Sequence, residues 1–582
     1  MFVSMGEVFR NNLKLDVFIG QFNEINCIIT TLNNHRKYVL QSIRSYISNH
    51  RVPIILWGIV AVGAFLRFYS LSFGLPGLYQ IDEEFFVAPA LRVAQGHLNP
   101  GWFGAPGQTL IYGVGIIFKL INIIGRAFSS TNLTLLEDYR QHTTLFQTFG
   151  RALPALAGVA MIPVVYLIGR LWNQRVGLIA AGLTATSFYL VDHSHVIRPD
   201  IIQTLFLLLV CYGLLQISRQ PDATKWYVWS GIAFGLAVTS KYPSLFIIPA
   251  VGVWFIILQC RHNIRLFRWL AAAVISLVTS FITGPFLYLD PVRVIHDVII
   301  EGRNTHGGHD RLGWLGNVGW YLTHALDWEI GTGLYILSLL VIGWIIIKLI
   351  RRRHDHVRDI YAIFIIAIAA SYLGCLSILS LHWERWVIPL IPLLFIITAY
   401  GLDEMIRVWR WRPIVLLIVI IVLAPGPTVR LIRTLTGYSH PYTVASAQEW
   451  ATANIPIGST VAVEPYSPTL PADKYTVIGL PNLSWHDLAW YRAQGIEYFI
   501  PNGNVKGVIA SEVERLGTNT NYGTALKGYD ALEQQSELVY QIPTVIDQNT
   551  KHLVESNDWA ILKTIQLDLL RGPFVQIYKL RP

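Results

Sequence analysis

Residues 57–73, WGIVAVGAFLRFYSLSF, and residues 77–96, GLYQIDEEFFVAPALRVAQG, indicate the class of structure to expect. The first stretch completes an apolar run that reaches the ~20 residues needed to cross a bilayer. The second begins just past that run and carries three consecutive carboxylates, Asp82, Glu83 and Glu84. Charge beside a membrane span is costly unless it is paired or faces a cavity. The two stretches therefore predict a membrane protein with a functional acidic loop where the chain leaves the bilayer.

The composition of the whole chain favours a polytopic membrane protein. Of its 582 residues, 53% are hydrophobic and 14% are charged, whereas about a quarter of the residues of a soluble protein are charged. The 19 Trp and 27 Tyr suit a chain whose many helix ends meet lipid headgroups. The formal net charge of +9 is then expected from Lys and Arg on cytoplasmic loops, and no nucleic-acid partner is predicted.

The cysteines and the N-terminal residues show no disulfide framework and no cleavable signal. Cys27, Cys211, Cys260 and Cys375 have neither the spacing of a disulfide framework nor that of metal ligands. Residues 1–50 lack the short apolar core and the small-residue cleavage site of a signal peptide. The first span is therefore predicted to remain as a membrane anchor.

Apolar runs of similar length recur along the first three quarters of the chain and predict about eleven transmembrane helices. This pattern favours an all-α polytopic membrane domain. The predicted spans lie at about 53–72, 150–171, 176–192, 201–218, 226–240, 243–260, 269–288, 331–350, 360–379, 386–402 and 413–430.

Basic residues on alternate loops orient these spans. Clusters such as KLIRRRHDHVR at 348–358 and RVWRWR at 407–412 mark one side of the membrane. Because Lys and Arg are enriched on cytoplasmic loops, the N-terminus is predicted to be cytoplasmic and the C-terminus to lie on the far side. Residues 108–127 are also long enough to cross, but a crossing there would break this alternation. They are predicted to lie in the outer interface, within one long loop at about 73–149.

The composition changes again from residue 436. Residues 439–468 predict a helix, a Pro-Gly turn and a strand, residues 485–500 repeat the helix–Gly–strand pattern, and residues 572–580 predict a final strand. The predicted organisation is a cytoplasmic extension at 1–52, a transmembrane domain at 53–435 and a small extracytoplasmic α/β domain at 436–582.

The few charges on the predicted outer loops are candidate site residues. A carboxylate near a hydroxyl acceptor acts as a general base, and Arg or Lys neutralises a phosphate leaving group. We therefore predict an acid-lined pocket with a cationic rim at the outer interface, suited to chemistry on an anionic lipid. The charges are Asp82, Glu83, Glu84, Asp192, Arg198, Asp200, Lys241, His382, Glu384 and Arg385, with Arg67 near the outer end of the first span.

Simpler interpretations stay open for these side chains. The carboxylates at 82–84 can belong to solvated surface. Arg198 and Asp200 can form a plain interfacial ion pair, and Lys241 can extend to the headgroups. No set of metal ligands has distinctive spacing, and His306 and His309 are interpreted as loop residues.

Six motifs follow one another along the chain: LRFYSL, IDEE with ALRVAQG, GRALPALAGVAMIPVVYLIGRLW, SHVIRPDIIQTLF, GIAFGLAVTSKYPSLFIIP and ERWVIPLIPLLFIITAYGLDEM. In this order, over about residues 53–430, they resemble the GT-C membrane glycosyltransferases. The resemblance is to the family that includes protein O-mannosyltransferases and lipid A aminoarabinose transferases. EWATANIPIGSTVAVEPYSP, near the C-terminus, is similar to the extracytoplasmic domain of prokaryotic members.

The resemblance implies an inverting transfer of a sugar from a polyprenyl-phosphate donor to a hydroxyl acceptor (glycan, lipid or protein) outside the cytoplasm. It places the chain in the plasma membrane. On the family's pattern Asp82 matches the first-loop aspartate proposed as base, Glu83 completes an Asp-Glu pair, and Asp200 matches the second-loop acid. Arg385 resembles an arginine near the lipid phosphate. The candidate phosphate-binding residues are then Arg67, Arg198, Lys241, His382 and Arg385.

The chain departs from the family at two places. FGAPGQTL, at 103–110, stands where aminoarabinose transferases carry a Glu-Lys-Pro, so that reaction is not predicted. The loop at 289–330 lacks the long insertion of protein mannosyltransferases, so protein O-mannosylation is not specifically predicted.

Three alternatives stay open. One is a multi-pass transporter or lipid-linked sugar flippase, although such proteins tend to show internal repeats, and this sequence shows none. Another is a polymerase or ligase with a diphosphate-linked donor. The third concerns the site itself, where the carboxylates could bind a divalent metal.

Overall fold

A computed structural model of the chain describes residues 51–77, 82–104, 107–128, 133–303, 312–351, 358–408, 425–542 and 572–581. Ile59–Pro582 forms one compact unit. Several predictions concern residues outside the described ranges, namely those for 1–50, Cys27, His306, His309 and most of the span at 413–430.

Helices make up most of the described chain as far as Ser439. An apolar run forms a helix in a bilayer because every backbone N–H and C=O must be paired within the protein. The helices are Arg51–Phe68, Glu83–Ala94, Gln108–Phe128, Leu135–Gln141, Thr143–Gly169, Gln174–Thr186, Phe188–His193, Asp200–Arg219, Thr224–Ser240, Ile248–His262, Leu266–Thr283, Phe286–Leu289, Pro291–Glu301, Gly313–Trp320, Leu326–Ile330, Thr332–Ile350, Arg358–Leu376, Leu390–Val408 and Pro425–Ser439. Short 3-10 helices lie at Tyr242–Ile247 and Glu384–Val387, and a π-helical turn lies at Tyr321–Ala325.

Seven of the helices in the described ranges are long and apolar enough to cross a membrane. The predicted count of about eleven is therefore not confirmed. Helix Gln108–Phe128 is one of the seven by length and composition, and its placement in the outer interface stays a prediction. The seven are Arg51–Phe68, Gln108–Phe128, Thr143–Gly169, Asp200–Arg219, Tyr242–His262, Leu266–Thr283 and Asp359–Leu376.

Two of the predicted spans contain breaks that hydropathy did not indicate. The span predicted at 176–192 is interrupted at Ser187, whose extended backbone ends helix Gln174–Thr186 before a separate short helix begins. The span predicted at 243–260 begins as a 3-10 turn that contains Pro243. Proline has no backbone N–H, so it favours the first turn of a helix over the interior.

Two glycines allow close packing between neighbouring helices. Gly231 and Gly235, on helix Thr224–Ser240, face helix Leu266–Thr283. A Cβ at Gly231 would lie 2.5 Å from the Ala272 carbonyl oxygen, and a Cβ at Gly235 would lie 2.6 Å from that of Ser276. Small residues four apart allow helix backbones to meet closely in a membrane.

The C-terminal region forms one five-stranded sheet flanked by helices Thr443–Asn454, Leu488–Ala493, Gly503–Leu516 and Asn521–Gln534. The sheet order is β2-β1-β3-β5-β4. Strand β1 is parallel to β2 and β3, and β5 is antiparallel to β3 and β4. The strands are β1 Thr460–Val463, β2 Thr476–Gly479, β3 Tyr498–Ile500, β4 Ser536–Ile542 and β5 Val575–Leu580.

Successive residues of each strand face opposite sides of the sheet and build two apolar layers. Val461 and Ile500 belong to one layer, whereas their neighbours Ala462 and Phe499 belong to the other. The predicted α/β region, including its final strand at 572–580, is confirmed.

Candidate active site

Asp82 stands at the start of helix Glu83–Ala94 in an unusual backbone conformation. Its φ of 73° lies in the left-handed region, which aspartate tolerates better than most residues. An aspartate at a helix N-cap usually accepts a hydrogen bond from the first turn, but the Asp82 side chain makes no such bond. The carboxylate is therefore available for partners outside its own helix.

Those partners are two arginines from distant parts of the chain. The Asp82 carboxylate lies 3.2 Å from the Arg198 guanidinium and 3.3 Å from the Arg385 guanidinium, and the same oxygen, Oδ2, faces both. Arg385 belongs to the 3-10 helix Glu384–Val387 and also lies over the Trp383 ring, 5.0 Å from its centroid. One carboxylate oxygen thus holds two guanidinium groups together.

Asp200 and Lys241 form a second ion pair beside the first. Asp200 lies in the first turn of helix Asp200–Arg219 and Lys241 directly follows helix Thr224–Ser240, so each charge complements the dipole of its helix end. The two side chains are in direct contact, and both are buried. The Lys241 ammonium lies 5.7 Å from the Trp386 ring centroid, which places the pair next to Arg385.

These five side chains leave an excess of positive charge. Three cations, Arg198, Arg385 and Lys241, face two carboxylates, Asp82 and Asp200, so the cluster carries a formal charge of 3 − 2 = +1. Guanidinium groups bind phosphate through paired hydrogen bonds, and a lysine ammonium binds it as a point charge. The cluster therefore complements an anionic phosphate.

Glu83 faces away from this cluster and pairs with Arg151. The Glu83 oxygens accept hydrogen bonds from Arg151 Nε at 2.9 Å and Nη2 at 2.8 Å. Glu83 Oε1 also accepts one from the Ile197 backbone N–H at 2.9 Å. Arg151 in turn donates to the carbonyls of Leu71 and Phe73. Through these bonds the buried pair fixes the segments that precede Asp82 and Arg198 against helix Thr143–Gly169.

Arg67 and His382, two further predicted phosphate ligands, have other contacts. The fully buried Arg67 guanidinium donates to the carbonyls of Thr184, Ala185 and Gly63 at 2.9, 3.0 and 3.2 Å. Thr184 and Ala185 lie in the last turn of helix Gln174–Thr186, where carbonyls lack partners within the helix. His382 lies against Trp320, with ring centroids 4.1 Å apart.

Comparisons with known proteins agree with this architecture. A family model described as dolichyl-phosphate-mannose-protein mannosyltransferase matches residues 146–284. Two crystal structures of the Archaeoglobus fulgidus oligosaccharyltransferase match over 92% of this chain and 89% of theirs. The apo form has a TM-score of 0.53 at 12% identity. The form tethered to an acceptor peptide with the NVT sequon has a TM-score of 0.54 at 13% identity.

This chain has the fold of the GT-C membrane glycosyltransferases. ArnT from Cupriavidus metallidurans, solved with undecaprenyl phosphate, matches 68% of this chain and 72% of its own at 17% identity, with a TM-score of 0.44. No curated protein matches the sequence.

An apolar recess of this GT-C fold lies beside the cation cluster. The Tyr372 hydroxyl donates to the Trp386 carbonyl at 3.0 Å. Trp386 directly follows Arg385 in the sequence, so this bond places Tyr372 near the cluster. On its other side Tyr372 lines a recess between helices Asp200–Arg219, Arg358–Leu376 and Leu390–Val408. The other lining residues include Leu207, Cys211, Ile247, Ile368 and Leu393.

Two features of this candidate site were not predicted. Arg151 was not singled out, although an arginine inside the apolar run 143–169 is itself a signal of a functional or structural charge. The second is the link from Asp192 to Tyr438, whose hydroxyl donates to the carboxylate at 2.7 Å across 246 residues of sequence. Within the described residues, no three His, Cys, Asp or Glu side chains form a group that could hold a metal ion.

Proposed function

We propose that this protein is an inverting glycosyltransferase. It moves a sugar from a polyprenyl-phosphate donor to a hydroxyl acceptor on the outer face of the plasma membrane, with the N-terminus in the cytoplasm. The contact of Asp82 with Arg198 and Arg385 carries the proposal, because it joins a carboxylate base to a phosphate-binding pair. The name of the family that matches residues 146–284 describes dolichyl-phosphate-mannose as a donor and supports the same class of donor.

The donor phosphate binds Arg198, Arg385 and Lys241. These side chains supply the excess positive charge of the cluster, and Asp200 holds the Lys241 ammonium in place through their buried contact. The recess lined by Tyr372 is apolar, and Tyr372 also contacts the carbonyl of Trp386, the residue after Arg385, so apolar helix surface lies close to the proposed phosphate site. Arg67 and His382 then contribute to the surrounding structure.

In the transfer, the acceptor oxygen attacks the anomeric carbon as the bond from that carbon to the phosphate oxygen breaks. Asp82 accepts the proton of the acceptor hydroxyl, and the polyprenyl phosphate leaves with the bonding electron pair, stabilised by the two guanidinium groups. A single displacement of this kind inverts the configuration. Glu83 acts through Arg151 to hold Asp82 in position.

The same contacts give an order of binding. Before the donor binds, both arginines contact Asp82 Oδ2, so that oxygen is already occupied by two partners. A phosphate that recruits the guanidinium groups releases the carboxylate for the acceptor hydroxyl. Donor therefore binds before acceptor.

The test uses the full chain in lipid with a panel of radiolabelled polyprenyl-phosphate sugars, and it measures release of polyprenyl phosphate. Asp82→Asn is the test variant. Asp222→Asn is the matched control, because Asp222 is exposed and pairs with Arg268. Release by the wild type and the control but not by Asp82→Asn supports the proposal. Equal release by Asp82→Asn contradicts the role of Asp82. Transport of the intact donor without sugar transfer would instead favour the flippase.

A further inference from the structure

Helix Pro291–Glu301 has an apolar face that the described part of the chain leaves uncovered. Val292, Ile295 and Ile299 are spaced three and four residues apart, so they lie on one side of the helix, and we call them the apolar face. They are 80%, 62% and 68% exposed. Within this helix only Asp297 is buried. An amphipathic helix of a soluble domain turns such a face toward a core, whereas this helix turns it outward.

Asp297 determines which side of the helix faces the protein. Its Oδ2 accepts a hydrogen bond from the backbone N–H of the fully buried Phe103 at 3.0 Å. The two backbones are also close, because a Cβ added at Gly104 would lie 2.9 Å from the Asp297 carbonyl oxygen. Asp297 is two residues from both Ile295 and Ile299, which is about 200° around the helix. These contacts therefore hold the apolar face away from the protein.

The same contacts place the helix at the end of the helical domain that carries the candidate site. The Phe103 carbonyl accepts a hydrogen bond from the Tyr242 hydroxyl at 3.1 Å. Tyr242 directly follows Lys241, which forms the buried ion pair with Asp200. The helix is thus connected through two hydrogen bonds to the segment that carries a cation of the cluster.

The apolar surface continues from a helix that is long and apolar enough to cross a membrane. Helix Leu266–Thr283 precedes helix Pro291–Glu301, and most of its surface is uncovered by protein. Residues 284–290, GPFLYLD, join the two helices and carry one charge, Asp290, directly before the second helix. Lipid tails cover the apolar surface of a span. The exposed residues of the first helix include Leu270, Val274, Leu277 and Phe281, spaced four, three and four apart.

Length and charge distinguish helix Pro291–Glu301 from a span. Its 11 residues extend about 16 Å, whereas the hydrocarbon core of a bilayer is about 30 Å thick. The Arg293 and His296 side chains are 51% and 67% exposed. Basic side chains beside an apolar face suit the lipid headgroups, because they keep their charge in the polar layer while the apolar residues enter the hydrocarbon.

We propose that helix Pro291–Glu301 binds the surface of the lipid bilayer. It lies along the membrane plane on the side of the candidate site, with the apolar face among the acyl chains and Arg293 among the headgroups. The bilayer is the partner because the face begins where a lipid-covered span ends and is followed by basic side chains. The inference concerns how this segment is held at the membrane, and it does not depend on the proposed function.

The experiment uses the full chain in phospholipid vesicles and measures how often a nitroxide spin label collides with two reagents. Oxygen concentrates in the bilayer, and a nickel chelate stays in water. Ile299→Cys is the test position, Leu277→Cys on the span is the lipid reference, and Lys527→Cys, exposed on helix Asn521–Gln534, is the water reference. We expect the oxygen-to-nickel collision ratio at Ile299 to be close to that at Leu277 and several-fold above that at Lys527. The native cysteines replaced by Ala beforehand are Cys27, Cys211, Cys260 and Cys375.

Arg293→Cys is the matched control on the same helix. Its label should collide with the nickel chelate several-fold more often than the label at Ile299, because a helix on the surface has one wet side. A ratio at Ile299 equal to that at Lys527 would place the apolar face in water, and few collisions with either reagent would show that protein, such as a second copy of the chain, covers it. Equal ratios at Arg293 and Ile299 would show a helix submerged in lipid. Each of these three results overturns the inference.

Discussion

Glu83 and Arg151 form a two-bond ion pair that is almost completely buried, whereas Asp82, one residue earlier, faces two other arginines. Glu83 is the first residue of the helix, whereas Asp82 precedes it with a left-handed backbone, which turns the two side chains in different directions. The two carboxylates of one Asp-Glu pair therefore have separate partners and separate roles.

Arg151→Met is expected to destabilise the protein strongly. Removal of one partner leaves the Glu83 charge buried without compensation, which costs about 3–5 kcal/mol in the free energy of unfolding. Thermal unfolding in detergent measures the loss. Arg126→Met is the control, since the exposed Arg126 donates only to the Leu133 carbonyl within the described contacts.

The double variant Glu83→Leu/Arg151→Met should recover part of that loss, because apolar side chains can replace a buried ion pair at little cost. A loss in Arg151→Met no larger than in Arg126→Met would show that the pair contributes nothing to stability.

Asp82→Asn is expected to bind polyprenyl phosphate more tightly than the wild type, by several-fold, although it transfers no sugar. In the wild type the phosphate competes with Asp82 for Arg198 and Arg385, and a neutral amide competes less. Equilibrium binding of polyprenyl phosphate measures the change. Weaker binding by the variant would contradict the competition and the order of binding derived from it.

Arg198→Gln and Arg385→Gln should each weaken polyprenyl-phosphate binding. A hydrogen bond to a charged group contributes about 1.5–3 kcal/mol, which corresponds to a change of about 10- to 100-fold in Kd. Part of the affinity should also fall with added salt, since both arginines are partly exposed. Lys225→Gln is the control, because Lys225 lies over Trp226 near a helix start away from the cluster. A Kd for polyprenyl phosphate equal to that of the control would show that these arginines do not bind the phosphate.

The C-terminal region should lose stability as pH rises from about 4.5 to about 7. Burial raises the pKa of Glu464 from 4.5 to about 7, although its three hydrogen-bond donors oppose the change. The folded protein then binds more protons than the unfolded chain in this range, so stability falls with rising pH. At 1.36 kcal/mol per pKa unit, the total fall is about 3 kcal/mol.

Urea unfolding at pH 5 and pH 8 measures this effect. Glu464→Gln cannot ionise and should show little of the pH dependence, whereas Glu497→Gln, an exposed neighbour that accepts from Ser459, should keep it. Equal pH dependence in the wild type and Glu464→Gln would show that Glu464 is not the group responsible.

Hydropathy and periodicity were enough to predict the helical domain and the α/β region, because both signals depend on local burial. They did not predict the break at Ser187, where one extended residue ends a helix inside an apolar run. The count of about eleven spans is not confirmed, because seven helices of the described ranges are long and apolar enough to cross, and most of the span predicted at 413–430 lies outside those ranges.

The amino-acid sequence by itself determined the membrane class, the α/β region and the small set of charged side chains from which a site could be built. Only the tertiary structure decided how these charges pair. It placed Arg198 and Arg385 on Asp82, Arg151 on Glu83, and Arg67 on helix-end carbonyls. The physical reason is that an ion pair depends on distances of a few ångströms between side chains that lie 68 or more residues apart in the sequence, and helix packing sets those distances.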